Sequence, residues 1–251
     1  MAAEGKAIDA LSQFALTPVL GKVGASVGFT QSNAFMLLAV GLITALMISG
    51  TARRAIIPGR LQALAEAAYE FVYEMATGQI GEEGKRYFPF IFSLFMFVLF
   101  GNLLGLLPYA FTYTSHIAVT FTLAVIVIVL VTAVGIAIHG WHWFSYFKPP
   151  GLSPLLAVLV APIEVISYLS RPISLSVRLF ANMVAGHVML KVFASFVVML
   201  GTAGFLGFLG ALAPIAINVA LVGFEFLVAF LQAYVFAVLT SIYLHDAVHL
   251  H

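Results

Sequence analysis

The sequence predicts an all-α polytopic membrane protein with about five membrane-embedded helices, the last two long and tilted as a hairpin, plus one amphipathic interfacial helix. Three observations predict it. Hydrophobic residues make up 63% of the 251 residues and charged residues only 8%, against roughly 25% charged in soluble domains; mean hydropathy is +1.10. Several stretches free of Asp, Glu, Lys and Arg reach or exceed the ~20 residues that cross a bilayer. One segment alone, 61–80, repeats glutamates every four residues, the period of a helix with one wet face. A net charge of +1 gives no reason to expect nucleic-acid binding, and the absence of cysteine removes disulfides, thiolate metal sites and thiol catalysis together.

Residues 1–31 are mildly polar and lack the basic flank, short apolar core and small-residue cleavage site of a signal peptide, so they read as a mature N-terminal arm. The first span lies at 32–52, with residues 34–49 as its apolar heart, and Arg53, Arg54 and Arg60 follow it. In 61–80, Glu66, Glu70 and Glu74 oppose an apolar side of Leu61, Leu64, Ala68, Phe71, Val72 and Met75, the pattern of a helix lying on the membrane surface. Residues 88–138 read as a helical hairpin, with spans at 88–107 and 117–138 either side of Pro108. Trp141, Trp143, Tyr146 and Lys148 then form an interfacial belt, and Pro149-Pro150-Gly151 stops the helix. The remaining pair occupies 153–243, as segments 153–200 and 211–243, each longer than a perpendicular span, which implies tilt or a kink at Pro162 or Pro172. Residues 244–251 form a tail, and the whole chain is one membrane domain. Five spans with the N-terminus outside put Arg53, Arg54, Arg60, Lys85, Arg86 and Lys148 inside against Lys6 and Lys22 outside, as the positive-inside rule requires.

A charge at bilayer depth costs roughly 3 kcal/mol or more, so such residues usually line an ion path. This chain places Glu164, Arg171, Arg178, His187, Lys191 and Glu225 there. Glu164, Ser167, Arg171, Ser174, Arg178, Asn182 and Met189 fall close to one helical stripe, and Glu164 to Arg178 covers about 21 Å of axis. On the last helix Asn218, Glu225 and Gln232 are spaced seven apart and make a second stripe. Arg178 stays protonated at physiological pH, so it attracts or repels a carboxylate but relays no protons. Small residues around it let another helix come close. His187 is turned about half a circle from Arg178, and it pairs naturally with Glu225, since each lowers the cost of burying the other and the couple passes protons near neutral pH. Arg171 has Glu164 as its nearest candidate partner, Lys191 reads as a snorkelling or partner-covered side chain, and His245, Asp246, His249 and His251 give only a weak metal signal. No metal-ligand pair or nucleophile constellation sits at spanning depth, so no cofactor or metal is expected and the chain is not read as an enzyme by itself.

The string Pro172-Ile173-Ser174-Leu175-Ser176-Val177-Arg178-Leu179-Phe180-Ala181-Asn182-Met183-Val184-Ala185-Gly186-His187 resembles the core motif of subunit a of the F-type proton-translocating ATP synthase. Asn102-Leu103-Leu104-Gly105-Leu106-Leu107-Pro108, Pro162-Ile163-Glu164 and Leu231-Gln232-Ala233-Tyr234-Val235-Phe236 support the resemblance, which covers residues 88–244. It implies a proton-conducting stator subunit, not catalytic alone, offering two offset half-channels to an oligomeric ring of small two-helix subunits that bear carboxylates. Arg178 takes the place of the family arginine that prevents a leak between them, and Asn182, His187, Glu225, Gln232 and Glu164 match positions lining the outer half-channel. Asn218 joins them by its place on the second stripe. Further implied partners are the peripheral-stalk subunit b, the rest of the synthase and the bilayer, in a bacterial plasma membrane or else a mitochondrial inner membrane. Two departures stand out: some members carry an acid where this chain has His187 and a histidine where it has Glu225, and some have an acid at the position of Gly105. The competing reading is an autonomous secondary transporter binding an anion at Arg178, but no internal repeat is found and five spans do not divide into equal halves.

Overall fold

Helices form wherever the chain is uncharged and apolar, because a backbone in hydrocarbon must satisfy its own hydrogen bonds. The computed structural model describes residues 14–18, 28–52, 55–107, 110–147, 154–202 and 204–249. Among these, six α-helices follow in order: α1 Gln31–Thr51, α2 Arg60–Ile80, α3 Gly84–Gly105, α4 Ile117–His139, α5 Pro154–Gly201 and α6 Gly204–Val248. Short 3-10 turns at Tyr113–Ser115 and Gly140–Phe147 flank α4. All but α2 are long and apolar enough to cross a membrane. Arg53, Arg54, Lys6, Lys22, Pro108, and the Lys148 to Gly151 stop lie outside the described residues.

The interior is built around α3, where Ile91, Phe95, Val98 and Asn102 are buried. Against it lies α6, which turns Ala229, Ala233 and Ala237 inward, each 0% exposed, so that small side chains every four residues let the two helices lie close. Leu175, Leu179 and Met183 of α5 and Val127 and Val131 of α4 complete one continuous core with them. By contrast α1 is peripheral: only Ser32, Ala39 and Gly50 are buried, and Gly50 crosses α2 so closely that a Cβ there would lie 2.6 Å from that of Ala65.

The 48 residues of α5 and 45 of α6 make about 72 and 68 Å of helix, more than twice a ~30 Å hydrocarbon core, so both must be strongly inclined to cross within it. Neither Pro162 nor Pro172 interrupts α5, and Pro214 does not interrupt α6. The hairpin between them closes on Gly204, whose φ of +83° is in the left-handed region that favours glycine.

Four sequence expectations change. Of the apolar side assigned to α2, Val72 is buried, but Leu61, Leu64 and Phe71 are exposed, and the packed face is Ala65, Val72, Ala76 and Ile80. Small side chains win there because α2 is clasped between α1 and α3. Trp143 is core rather than belt: it is 2% exposed in a slot opened by Gly135, while Trp141 is fully outside at 89%. The last helix starts at Gly204, seven residues before the expected start. It also continues through residues assigned to the tail, with Leu244 and Ala247 buried and the Val248 carbonyl accepting from His139 Nε2 at 3.1 Å.

Candidate functional site

Helix α5 divides its residues between two faces at the level of Arg178. Leu175, Leu179 and Met183 point into the core, at most 2% exposed. Ser174, Arg178, Ala181 and Ala185 form the opposite, exposed face. None of the ion pairs among the described residues includes Arg178. A guanidinium thus stands on an open face near the middle of an apolar helix, ringed by side chains short enough to admit another helix.

Nine residues on, His187 is half-buried. Its Nε2 lies 3.8 Å from Glu225 Oε1 on α6, so the couple expected from helical phase is brought together. Glu225 is 3% exposed, and neither of its oxygens has a hydrogen-bond partner among the described residues. Gly186 makes the approach possible, for a Cβ there would lie 2.5 Å from Glu225 Oε1. The second stripe also faces inward: Gln232 is 6% exposed, and Asn218 holds a buried, unpartnered Oδ1 beside a cavity of about 260 Å³ lined by Ala194, Val197 and Val222. Their neighbours Ile217, Val219, Phe224, Phe226 and Leu231 are exposed. Asn182 is half-buried on α5 between Arg178 and His187.

Glu164 does not join this group. It precedes His187 by 23 positions, about 34 Å of helix axis, too far to meet the couple directly. It lies instead toward the end of α5 that carries Arg171. There Arg171, expected to partner Glu164, donates from Nη2 to the Tyr146 hydroxyl at 2.6 Å and pairs through Nη1 with Asp246 Oδ2 at 3.5 Å. Its guanidinium is also set against the rings of Tyr146, Tyr168 and Tyr243 at 5.7, 5.3 and 4.8 Å. Seven residues along one helix separate two side chains by about 10 Å, whereas the extended end of α6 delivers Asp246 directly.

Two participants were not singled out from the sequence. Thr112 Oγ1 lies 2.9 Å from His187 Nε2. Asn102, fully buried, donates to the Ala229 carbonyl of α6 at 3.1 Å and accepts from the Thr114 hydroxyl at 2.7 Å. Asn102 heads one of the strings that carry the family resemblance, and the signal for Thr112 is a cluster of hydroxyls, Thr112 to Ser115, in an otherwise uncharged hairpin. Among the described residues no group of three or more His, Asp or Glu is placed to hold a metal ion.

Comparison with known proteins identifies the family. Residues 33–245 match the family described as ATP synthase A chain. The chain is 62% identical over 252 residues to ATP synthase subunit a of Granulibacter bethesdensis, covering 100% of both chains. It is 54% identical over 250 residues to that of Acidiphilium cryptum, covering 99% of this chain and 100% of the relative. With that of Rhodospirillum rubrum the identity is 53% over 243 residues, covering 96% and 98%. A multi-pass membrane chain that matches the family along most of its length and its relatives from end to end belongs to the ATP synthase subunit a family.

Proposed function

We propose that the chain is the proton-conducting stator subunit of a rotary ATP synthase, and that Arg178 separates two half-channels that meet a moving ring of carboxylate-bearing subunits. The observation that carries this reading is the exposure of Arg178. A permanent cation facing lipid at that depth is costly, so its face must be covered, and the small residues Ser174, Ala181 and Ala185 beside it suit a close-packed partner helix. A carboxylate carried past on that partner is stabilised as its anion next to the guanidinium and gives up its proton there. It cannot cross still protonated on both sides, and the two access paths stay separate.

His187, Glu225, Thr112, Asn182, Asn218 and Gln232 then form the relay to one side, which the polarity of the loops makes the outer one. Glu164, with Arg171 and Asp246 nearby, belongs to the path on the other side. The chain itself makes no ATP; it supplies the proton path that a catalytic sector uses. The partners are the ring, a peripheral-stalk subunit b and the remaining synthase, in a bacterial plasma membrane like those of the bacterial relatives. Family membership leaves the autonomous-transporter reading without support.

The test uses the absence of native cysteine. Cysteine at Ala181, paired with single cysteines on the ring's outer helix in the assembled complex, should form disulfides under mild oxidation, whereas cysteine at the buried Leu179 should not. Absence of any cross-link from Ala181 in an assembled, coupled complex would remove the ring from the Arg178 face.

A further inference from the structure

We infer that Thr112 is the positioning residue of the proton relay, holding His187 in one place before and after a proton passes between its Nε2 and Glu225; the inference rests on the relay reading above. The same ring nitrogen faces both groups, at 2.9 Å from the Thr112 hydroxyl and 3.8 Å from the Glu225 carboxylate. The first is a hydrogen-bond distance and the second is beyond one. An imidazole nitrogen either offers a lone pair or carries a proton, and a hydroxyl answers both states, donating to the lone pair or accepting from the N–H. Thr112 therefore bonds Nε2 both before and after a transfer, and gives it up only while the single N–H is turned to the carboxylate. The carboxylate is met only at the moment of transfer, when the Nε2–H bond breaks and an O–H bond forms on Glu225, or the reverse.

The hydroxyl is brought there by construction. Gly105 is the opening: a Cβ at that position would overlap Thr112 Oγ1. The loop on either side of Thr112 is tied down, since Ser115 Oγ donates to the Thr112 carbonyl at 2.6 Å and Tyr113 donates to the Phe97 carbonyl at 2.6 Å. Asn102 then joins the Thr114 hydroxyl to the Ala229 carbonyl, one turn beyond Glu225 on α6. One buried amide thus sets the hydroxyl and the carboxylate in a common frame, with His187 between them.

The test compares Thr112→Val, which keeps the shape and loses the hydrogen bond, with Thr112→Ser, which keeps the bond, and with His187→Ala, all in the complete synthase in inverted membrane vesicles. Proton pumping is read per assembled complex. Loss of one hydrogen bond at the relay should lower pumping about fivefold or more in Thr112→Val, and Thr112→Ser should stay near the parent. Gly105→Ala, which displaces the hydroxyl without removing it, should also lower pumping and decides the matter if Thr112→Val fails to assemble. Full pumping by Thr112→Val, or equal loss in Val and Ser, overturns the inference while a defect in His187→Ala leaves the relay standing. Full pumping by His187→Ala would overturn the relay itself.

Discussion

Replacing Gly186 by Ala adds a single carbon at the tightest point of the candidate relay. That carbon would lie 2.5 Å from Glu225 Oε1, 2.9 Å from its Cδ and 3.3 Å from its Cγ. Ordinary contact needs about 3.4 Å or more, so the carboxylate must retreat from α5 by roughly 0.9 Å, because packed interiors have little slack. The separation from His187 Nε2, now 3.8 Å, opens to about 4.7 Å. With an effective dielectric constant of ~20, the attraction between the carboxylate and a protonated imidazole weakens by about 0.8 kcal/mol, roughly a factor of 4, and misplacement of about 1 Å in a reacting pair can cost up to ~100-fold. Alanine is a better helix former than glycine by about 1 kcal/mol, so insertion of α5 should not suffer. The assay is ATP-driven acidification of inverted vesicles, normalised to assembled synthase. A fall of 4-fold or more, at unchanged assembly, is expected. Parental pumping by Gly186→Ala would show that the spacing of Glu225 from α5 does not matter to proton flow.

Three further outcomes follow from the same geometry. Arg178→Ala should insert and assemble but abolish coupled pumping, with Arg178→Lys rescuing poorly because a lysine can lose its charge when buried; vigorous ATP-driven pumping by the alanine variant would refute the separating role. His187→Glu combined with Glu225→His should recover part of the flux lost by either change alone, and strict additivity in the double-mutant cycle would show that the two do not couple. Cysteines at Asn182, Asn218, Glu225 and Gln232 should react with silver ions faster than cysteines at Val165 and Leu227, and a cysteine at Glu164 should be protected by a blocker applied from the opposite side; equal reactivity at all positions would remove both water paths.

The couple of His187 and Glu225 is legible because phase turns His187 away from the Arg178 stripe and a buried imidazole beside a buried carboxylate lowers the cost of both. The inward turn of Asn218, Glu225 and Gln232 is legible from their spacing of seven along one helix. Thr112 is not, since its contact with His187 joins residues 75 apart in sequence through a loop whose course no periodicity dictates. The sequence places Asp246 in a tail because Leu244 to His251 is half polar. Its charge is in fact compensated by Arg171, while Leu244 and Ala247 on the same turns are buried. Trp143 was misplaced because an aromatic residue at a helix end fits either an interface or a core, and only the slot at Gly135 decides between them. On α2 the glutamate face was legible, but large apolar side chains outside and alanines inside reflect how closely α1 and α3 approach, which a single segment does not encode.

In the proposed motor the arrangement along α5 accounts for a carrier outside the chain. His187 lies about 14 Å beyond Arg178 and Arg171 about 10 Å before it. Between the two polar groups the inner face of α5 is Leu175, Leu179 and Met183, in one core cluster with Phe236 and Ala237 of α6 and at most 2% exposed, and the one buried hydroxyl among them, Ser176, is turned back to the Ile173 carbonyl at 3.0 Å. An apolar, close-packed layer of this kind stays dry, since a water molecule needs both space and polar partners. In that motor no proton crosses from one polar group to the other through the interior of the chain. The remaining route runs over the outer face, past a fixed positive charge that repels a free hydronium ion and neutralises a passing carboxylate. In the proposed motor the buried leucines and Arg178 are therefore two halves of one barrier: the first shuts the inside of the chain, and the second admits only protons that travel as part of a moving acid.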